Sequence, residues 1–296
     1  MAAAPKPAPQ AAAPAARPAA KKPGLRPDLS TLAGIGVALG GIIGGLLLEK
    51  GNIQDVAQAT AAMIVLGGTL GAVLVTTPLK VFLRALKGLR YAFLEESGTT
   101  TGLIDSLIQL ASKARKNGIV SLEGDAASIA DPFLRKAVNL AVDGTDLQDL
   151  RRMMEIDASI AEHAGEAEAK VWEAAGGYAP TIGIIGAVMG LIQVMKHLED
   201  IKAVGHGIAV AFVATVYGVG SANIFFLPVA NKLKARTRES LLRKEMMLEG
   251  VCGIVEGLNP TLIRLKLEAY NDDAAPPAKP AAAKSRNGPQ PTAARS

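Results

Sequence analysis

The sequence predicts an all-α membrane protein: four transmembrane helices in two hairpins, with a helical cytoplasmic domain between spans 2 and 3. Three observations carry this fold. First, four long apolar runs, Leu29 to Leu48, Val56 to Thr77, Ala174 to Met195 and Gly207 to Ala230, contain no Asp, Glu, Lys, Arg or His. One ionised residue at the centre of a bilayer helix costs about 2.5–3.5 kcal/mol, and about 20 apolar residues cross the hydrocarbon core, so four clean runs favour spanning over burial. Second, the chain is 49% hydrophobic with 31 glycines and a mean hydropathy of +0.26, a composition suited to close helix approach in lipid. Third, the region between the second and third runs is polar and has helical periodicity.

Residues 1–28 read as a disordered, Ala/Pro-rich basic tail, charged only at Lys6, Arg17, Lys21, Lys22, Arg26 and Asp28. The tail lacks the continuous apolar stretch of a signal peptide. Residues 29–77 form the first hairpin. Gly36, Gly40 and Gly44 recur at four-residue spacing in its first span, with Gly41 and Gly45 beside them; this is a stripe for close packing or a stretch of Gly-rich flexibility. The second span contains Gly67 and Gly71 and stops at Pro78.

Residues 78–173 form the soluble domain. Between positions 80 and 170 it carries 12 basic residues against 14 acidic, a near balance that argues against a polybasic lipid anchor or a nucleic-acid surface and suits a protein-facing domain. Leu103, Leu107, Leu110 and Ala114 share one helical face, and Phe133, Ala137, Leu140 and Ala141 share another. Asp146 is placed to cap the helix of Leu150, Met153 and Met154, while Gly118, Gly124 and Gly144 mark turns. No segment alternates strongly enough to predict a sheet. The second hairpin, 174–230, is followed by C-terminal cytoplasmic helices over 231–270, with Asn259-Pro260 as a stop, and by a second disordered tail over 271–296.

Basic residues crowd the N-terminal tail, the segment after span 2 (Lys80, Arg84, Lys87, Arg90) and the segment after span 4 (Lys232, Lys234, Arg236, Arg238). The hairpin loops hold only Lys50, Lys196 and Lys202. The positive-inside rule then puts both termini and the middle domain of this multi-pass protein in the cytoplasm, with Trp172 and Tyr178 flanking the entry to span 3.

The chain offers little for catalysis. It has no Ser/His/Asp arrangement, phosphate-binding glycine loop or HExxH, no metal-like Cys/His spacing and no cofactor motif, and its single cysteine, Cys252, excludes an internal disulfide. An ion-coupled device normally carries an ionisable group in the membrane, so any titrating group must come from a partner. The spans do contain Thr181, Gln193, Thr215, Tyr217, Ser221 and Asn223. Ala187 and Thr215 each lie eight residues from the outer end of their span, about 12 Å deep at 1.5 Å per residue, so a path between these helices would pass both. The alternative for Thr215 is a hydroxyl bonded back to its own helix. Pro180 and Pro228 match in depth near the cytoplasmic side, each freeing a carbonyl four residues earlier; either a static kink or a hinge would follow.

The runs Ala179-Pro180-Thr181-Ile182-Gly183-Ile184-Ile185-Gly186-Ala187-Val188-Met189-Gly190-Leu191 and Ala214-Thr215-Val216-Tyr217-Gly218, with Ala222-Asn223 and Leu227-Pro228, resemble the third and fourth spans of the MotA/PomA flagellar stator family. The likeness extends to Ala114-Arg115-Lys116-Asn117-Gly118 with Ser121-Leu122-Glu123, and to Glu249-Gly250 with Glu256-Gly257-Leu258-Asn259-Pro260. It implies a pentamer around a dimer of a MotB-like single-span protein that supplies the ion-carrying aspartate and grips peptidoglycan. It also implies that Arg115, Lys116 and Glu123 meet the rotor protein FliG, where composition alone reads an ordinary solvated face. Some members have a second acid directly after the Glu; here Gly124 and then Asp125 follow. The resemblance matches Pro180 and Pro228 to prolines of conformational change and Thr215 to a threonine of the ion path. Sodium-driven relatives tend to carry Thr where this chain has Ala187 and Ala214, so a proton-driven stator is expected. An ExbB/TolQ-like energiser of outer-membrane transport is the alternative, although such relatives have three spans; a membrane scaffold without ion flux is a third reading.

Overall fold

The computed structural model describes residues 25–96 and 99–270, so most of each expected tail lies outside the described residues. Among the described residues, four helices are long and apolar enough to cross a membrane. The first, α1 (Leu29–Leu48), is capped by Asp28, and none of its residues is buried within the chain. After a one-turn helix α2 (Ile53–Val56), the second span runs through α3 (Ala59–Ala62), a π turn (Met63–Gly67) and α4 (Gly68–Thr76). This span starts later than the apolar run suggests. The Tyr217 hydroxyl donates to the Val56 carbonyl at 2.6 Å and accepts from the Gln58 N–H at 3.3 Å, so both groups at the break are satisfied without helix.

Pro78 separates α4 from α5 (Leu79–Phe93), which leads to a three-residue strand, β2 (Leu94–Glu96). That strand pairs antiparallel with β1 (Leu25–Pro27), Leu25 opposite Glu96. The ribbon is too short to leave a pattern in the sequence, and it pairs residues 25–27, the last part of the expected tail, with the segment after α5. The cytoplasmic domain continues with α6 (Thr100–Asn117), a 3-10 turn (Ile119–Leu122), α7 (Glu123–Ala126) and α8 (Pro132–Val142). Gly118 and Gly144 have positive φ, whereas Gly124 sits inside α7 instead of marking a turn.

Two long helices dominate. The 50-residue α9 (Leu147–Lys196), capped by Asp146, passes from the cytoplasmic domain through Pro180 and across the apolar layer, about 75 Å in all. The chain returns as α10 (Ile201–Gly220), a π turn (Ser221–Phe226) and α11 (Leu227–Val255), 55 residues of continuous helix. Asn259 then caps α12 (Pro260–Glu268), so Asn259-Pro260 ends one helix by starting another. Outside the spans, Leu107, Leu122, Val138, Leu150, Met154, Met246, Met247 and Ile263 form a fully buried core joining α6, α8 and α12 to the long pair.

In the membrane, α9 and α10 meet backbone to backbone. A Cβ added at Gly190 would lie 2.7 Å from the Gly207 carbonyl and 2.8 Å from the Ala211 nitrogen; one at Gly218 would lie 2.6 Å from the Ala179 carbonyl. The stripe of Gly36, Gly40 and Gly44 faces nothing within 4 Å, so the close approach lies in the second hairpin. Gly190→Ala is therefore expected to destabilise the purified protein by about 1–3 kcal/mol through overpacking. Gly36→Ala, which fills open space in a helix, should not lower stability; thermal unfolding of the two variants side by side checks this.

Candidate functional site

Two regions matter, the seam between α9 and α10 and the cytoplasmic tip. On the seam, the Thr215 hydroxyl donates to the Ala211 carbonyl at 3.2 Å, the back-bonded state. Its backbone packs beside Gly183, where an added Cβ would lie 3.5 Å from the Thr215 Cα. Thr215 is half-buried, as is Ala187 one turn outward from Gly183. Ala214 is different. It has no exposed surface, clusters with Ala61, Val65 and Val213, and stands 2.8 Å from the Cβ position of Gly186. The structure thus brings Thr215 and Ala187 towards the open side of the hairpin and seals Ala214 against span 2.

The two prolines face one another through their neighbours. Gly218 approaches the Pro180 Cα, with its Cβ position at 3.3 Å, and Gly176, whose carbonyl Pro180 leaves without its helical donor, packs on Leu227 beside Pro228. A π turn ends just before Leu227. It rests on an aromatic group in which the Trp172 ring lies 5.9 Å from that of Phe225, edge-on, and 6.3 Å from that of Phe226. Neither the π turn nor this cluster has a sequence signature; Trp172 read only as an interface aromatic.

At the tip, Arg115 and Lys116 occupy the exposed last turn of α6 and Glu123 opens α7, also exposed. Asp125 is already engaged, accepting from the Lys113 ammonium at 2.7 Å. The tip lies against Ile254, Val255 and Leu258, at the far end of α11. Val255 is 27 residues beyond Pro228, about 40 Å of helix. Just above it, Glu249 accepts from Arg151 and from Lys266, both at 3.1 Å. Burial pushes the Glu249 carboxyl up, but these two cations outweigh it and hold it below its usual range.

The sequence aligns with motility protein A of Helicobacter pylori at 36% identity over 241 residues, 81% of this chain and 94% of that protein. The chain belongs to the motility protein A family. Two family profiles agree: Motility protein A N-terminal over residues 32–118, and the MotA/TolQ/ExbB proton channel family over residues 125–246. In three dimensions the fold matches the structure of C. jejuni MotAB with a TM-score of 0.80 at 32% identity, covering 84% of this chain and 98% of that one. It matches the flagellar MotAB stator complex from Bacillus subtilis with a TM-score of 0.76 at 33% identity, covering 81% and 95%. Membership makes the chain a subunit of the flagellar motor stator and not an enzyme. The N-terminal profile spans the first hairpin and α6, so the ExbB/TolQ alternative is not favoured.

Between the basic and acidic residues of this tip, Gly118 has φ 82° and ψ 159°, a conformation open almost only to glycine. Gly118→Ala is expected to strain the tip by about 1–3 kcal/mol. Amide exchange over 115–126 should speed up while the α9–α10 seam keeps its protection and the membrane level holds.

Proposed function

We propose that this stator subunit, assembled as a pentamer around a dimer of a MotB-like single-span partner, couples proton flow across the inner membrane to torque on the rotor. The observation that carries the reading is the pair of unbroken helices. The α9 helix and the helix from Ile201 to Val255 extend from the half-buried Thr215 and Ala187 to the base of the tip that carries the exposed Arg115, Lys116 and Glu123, so a displacement at one end has a continuous route to the other. The partner supplies the ionisable carboxylate that the four spans lack. In this arrangement both termini and the domain over 78–173 are cytoplasmic, residues 29–77 and 174–230 form the two membrane hairpins, and residues 231–270 complete the cytoplasmic part. Pro180 and Pro228 provide the bend between the ion path and the tip.

The tip is the proposed contact for FliG. Arg115, Lys116 and Glu123 have no ion-pair partner among the described residues, which leaves their charge for another protein. Arg115→Glu or Glu123→Lys should impair motility without lowering the membrane level, and a compensating reversal on the rotor should restore part of it. Alanine substitutions should be mild, because exposed pairs contribute about 0–1 kcal/mol each. Full motility in both reversals would remove the rotor assignment.

The ion follows from the oxygen count. A sodium ion shedding water needs several oxygen ligands, whereas a proton needs a titrating carboxylate with access to water. Thr215 gives this chain one hydroxyl at the shared depth, Ala187 offers a methyl, and Ala214 is sealed away. Swimming should persist in sodium-free medium and collapse with a protonophore, and Thr215→Ala should slow ion flux more than it reduces assembly. Motor speed that tracks external sodium at constant proton-motive force would overturn the proton reading.

A further inference from the structure

The most densely bonded carboxylate of the membrane-proximal region belongs to Asp28, only 5% exposed. Its Oδ1 accepts from the Ser30 hydroxyl at 2.6 Å and from the N–H groups of Ser30 and Thr31 at 3.1 and 3.2 Å, closing the N-terminus of α1. Its Oδ2 accepts from the Lys232 ammonium at 2.5 Å and the Arg236 guanidinium at 3.1 Å. Its own N–H donates to the Phe93 carbonyl at 2.8 Å, at the end of α5. One residue therefore joins the foot of α1, the end of α5 and the helix α11.

The partners on α11 stand four and eight residues beyond Pro228, one and two turns along the same face. No residue of α1 is buried, so apolar packing does little to fix this helix against the rest of the chain. The tie is charge-assisted and shielded, the stronger kind of hydrogen bond. The bond from Lys232 foremost, then that from Ser30, outweighs burial and holds the Asp28 carboxyl well below the usual range. Its contribution to stability is full above the unfolded value near 4 and is lost only as pH falls through the depressed one, so the tie persists across the physiological range.

We propose that Asp28 is a positioning residue for the coupling step: it fastens the cytoplasmic foot of α1 to the helix beyond Pro228, so that the two move as one body. The functional half of this proposal rests on the stator reading. Asp28→Asn separates the roles of the side chain, because asparagine caps a helix as well as aspartate does but brings no charge to Lys232 and Arg236. Those cations are 29% and 20% exposed and can turn to water, so membrane level and partner co-purification should match wild type. Swimming speed should fall at least about twofold, the lower end of what a coupled pair contributes. Lys232→Met should slow swimming similarly, and the double variant should be no worse than the worse single one. A structural readout stands apart from motility. Spin labels at Leu32→Cys and Ala235→Cys, both exposed, should give a narrow distance distribution that broadens in Asp28→Asn; Cys252, 1% exposed, stays unlabelled. Wild-type speed in Asp28→Asn or Lys232→Met, or an unchanged distance distribution, overturns the proposal. Should the wild-type chain fail to drive any motor, the stator reading falls, while the label distances still decide whether Asp28 fastens the two helices.

Discussion

The constraint on which the rest depends is the backbone contact between α9 and α10. In lipid, apolar side chains gain nothing by leaving solvent, so two helices associate through packing and close approach. Gly183, Gly190, Gly207 and Gly218 each lack a side chain where a Cβ would fall within about 3 Å of the opposing backbone. That contact aligns the pair along the length of the membrane. Span 2 packs on one side of it through Ala61, Val65 and Gly68, and Thr215 and Ala187 are left half-open. Span 1 is held by different means, polar bonds at its foot, and its apolar surface stays open.

Below the membrane the same two helices obey a different solvent. Here apolar burial does drive association, and Leu107, Val138, Met154, Met246, Met247 and Ile263 clamp α6, α8 and α12 onto the long pair. Gly250 fits against Leu107, its Cβ position 2.9 Å from a leucine methyl, so glycine serves tight packing in the water-exposed half as well. The charged tip is thus mounted on a packed core and not on a loose loop. Its exposed residues are free for an external contact while their backbone is fixed.

The four spans were legible because lipid allows no ionised group without a reason, and the helix start at Asp146 because short polar side chains cap helices; Asn259 read as a stop, although it caps the next helix as well. Glycine spacing misled in one respect. The regular stripe of span 1 meets nothing within 4 Å, whereas the glycines whose Cβ would meet the backbone of another span lie in the second hairpin, and only the partner surface distinguishes them. The π turns at Met63–Gly67 and Ser221–Phe226, the Tyr217 clip on the Val56 carbonyl and the Asp28 tie to α11 were not legible, since each depends on residues distant in sequence. Of the site residues, the exposure of Arg115, Lys116 and Glu123 and the sealing of Ala214 are tertiary facts that one-dimensional spacing does not carry.

The prolines acquire a specific meaning from what flanks them. On one side lies the seam, where backbone contacts leave no slack; on the other lies the cytoplasmic core, equally close-packed. Two close-packed parts that share these two helices can move relative to each other only if the helices yield. In the proposed mechanism Gly176 to Pro180 on α9 and Ile224 to Pro228 on the returning helix are such places, since each proline removes a helical hydrogen bond and the π turn has already shifted the bond register before Pro228. Gly176 packs directly on Leu227, so the two weak points lie at one level and neither helix can bend there without the other. Asp28 grips α11 one and two turns past that level, on the side away from the seam. A bend at the prolines would then carry the foot of span 1 with the core, and the outer helix would follow the cytoplasmic body, not the membrane seam.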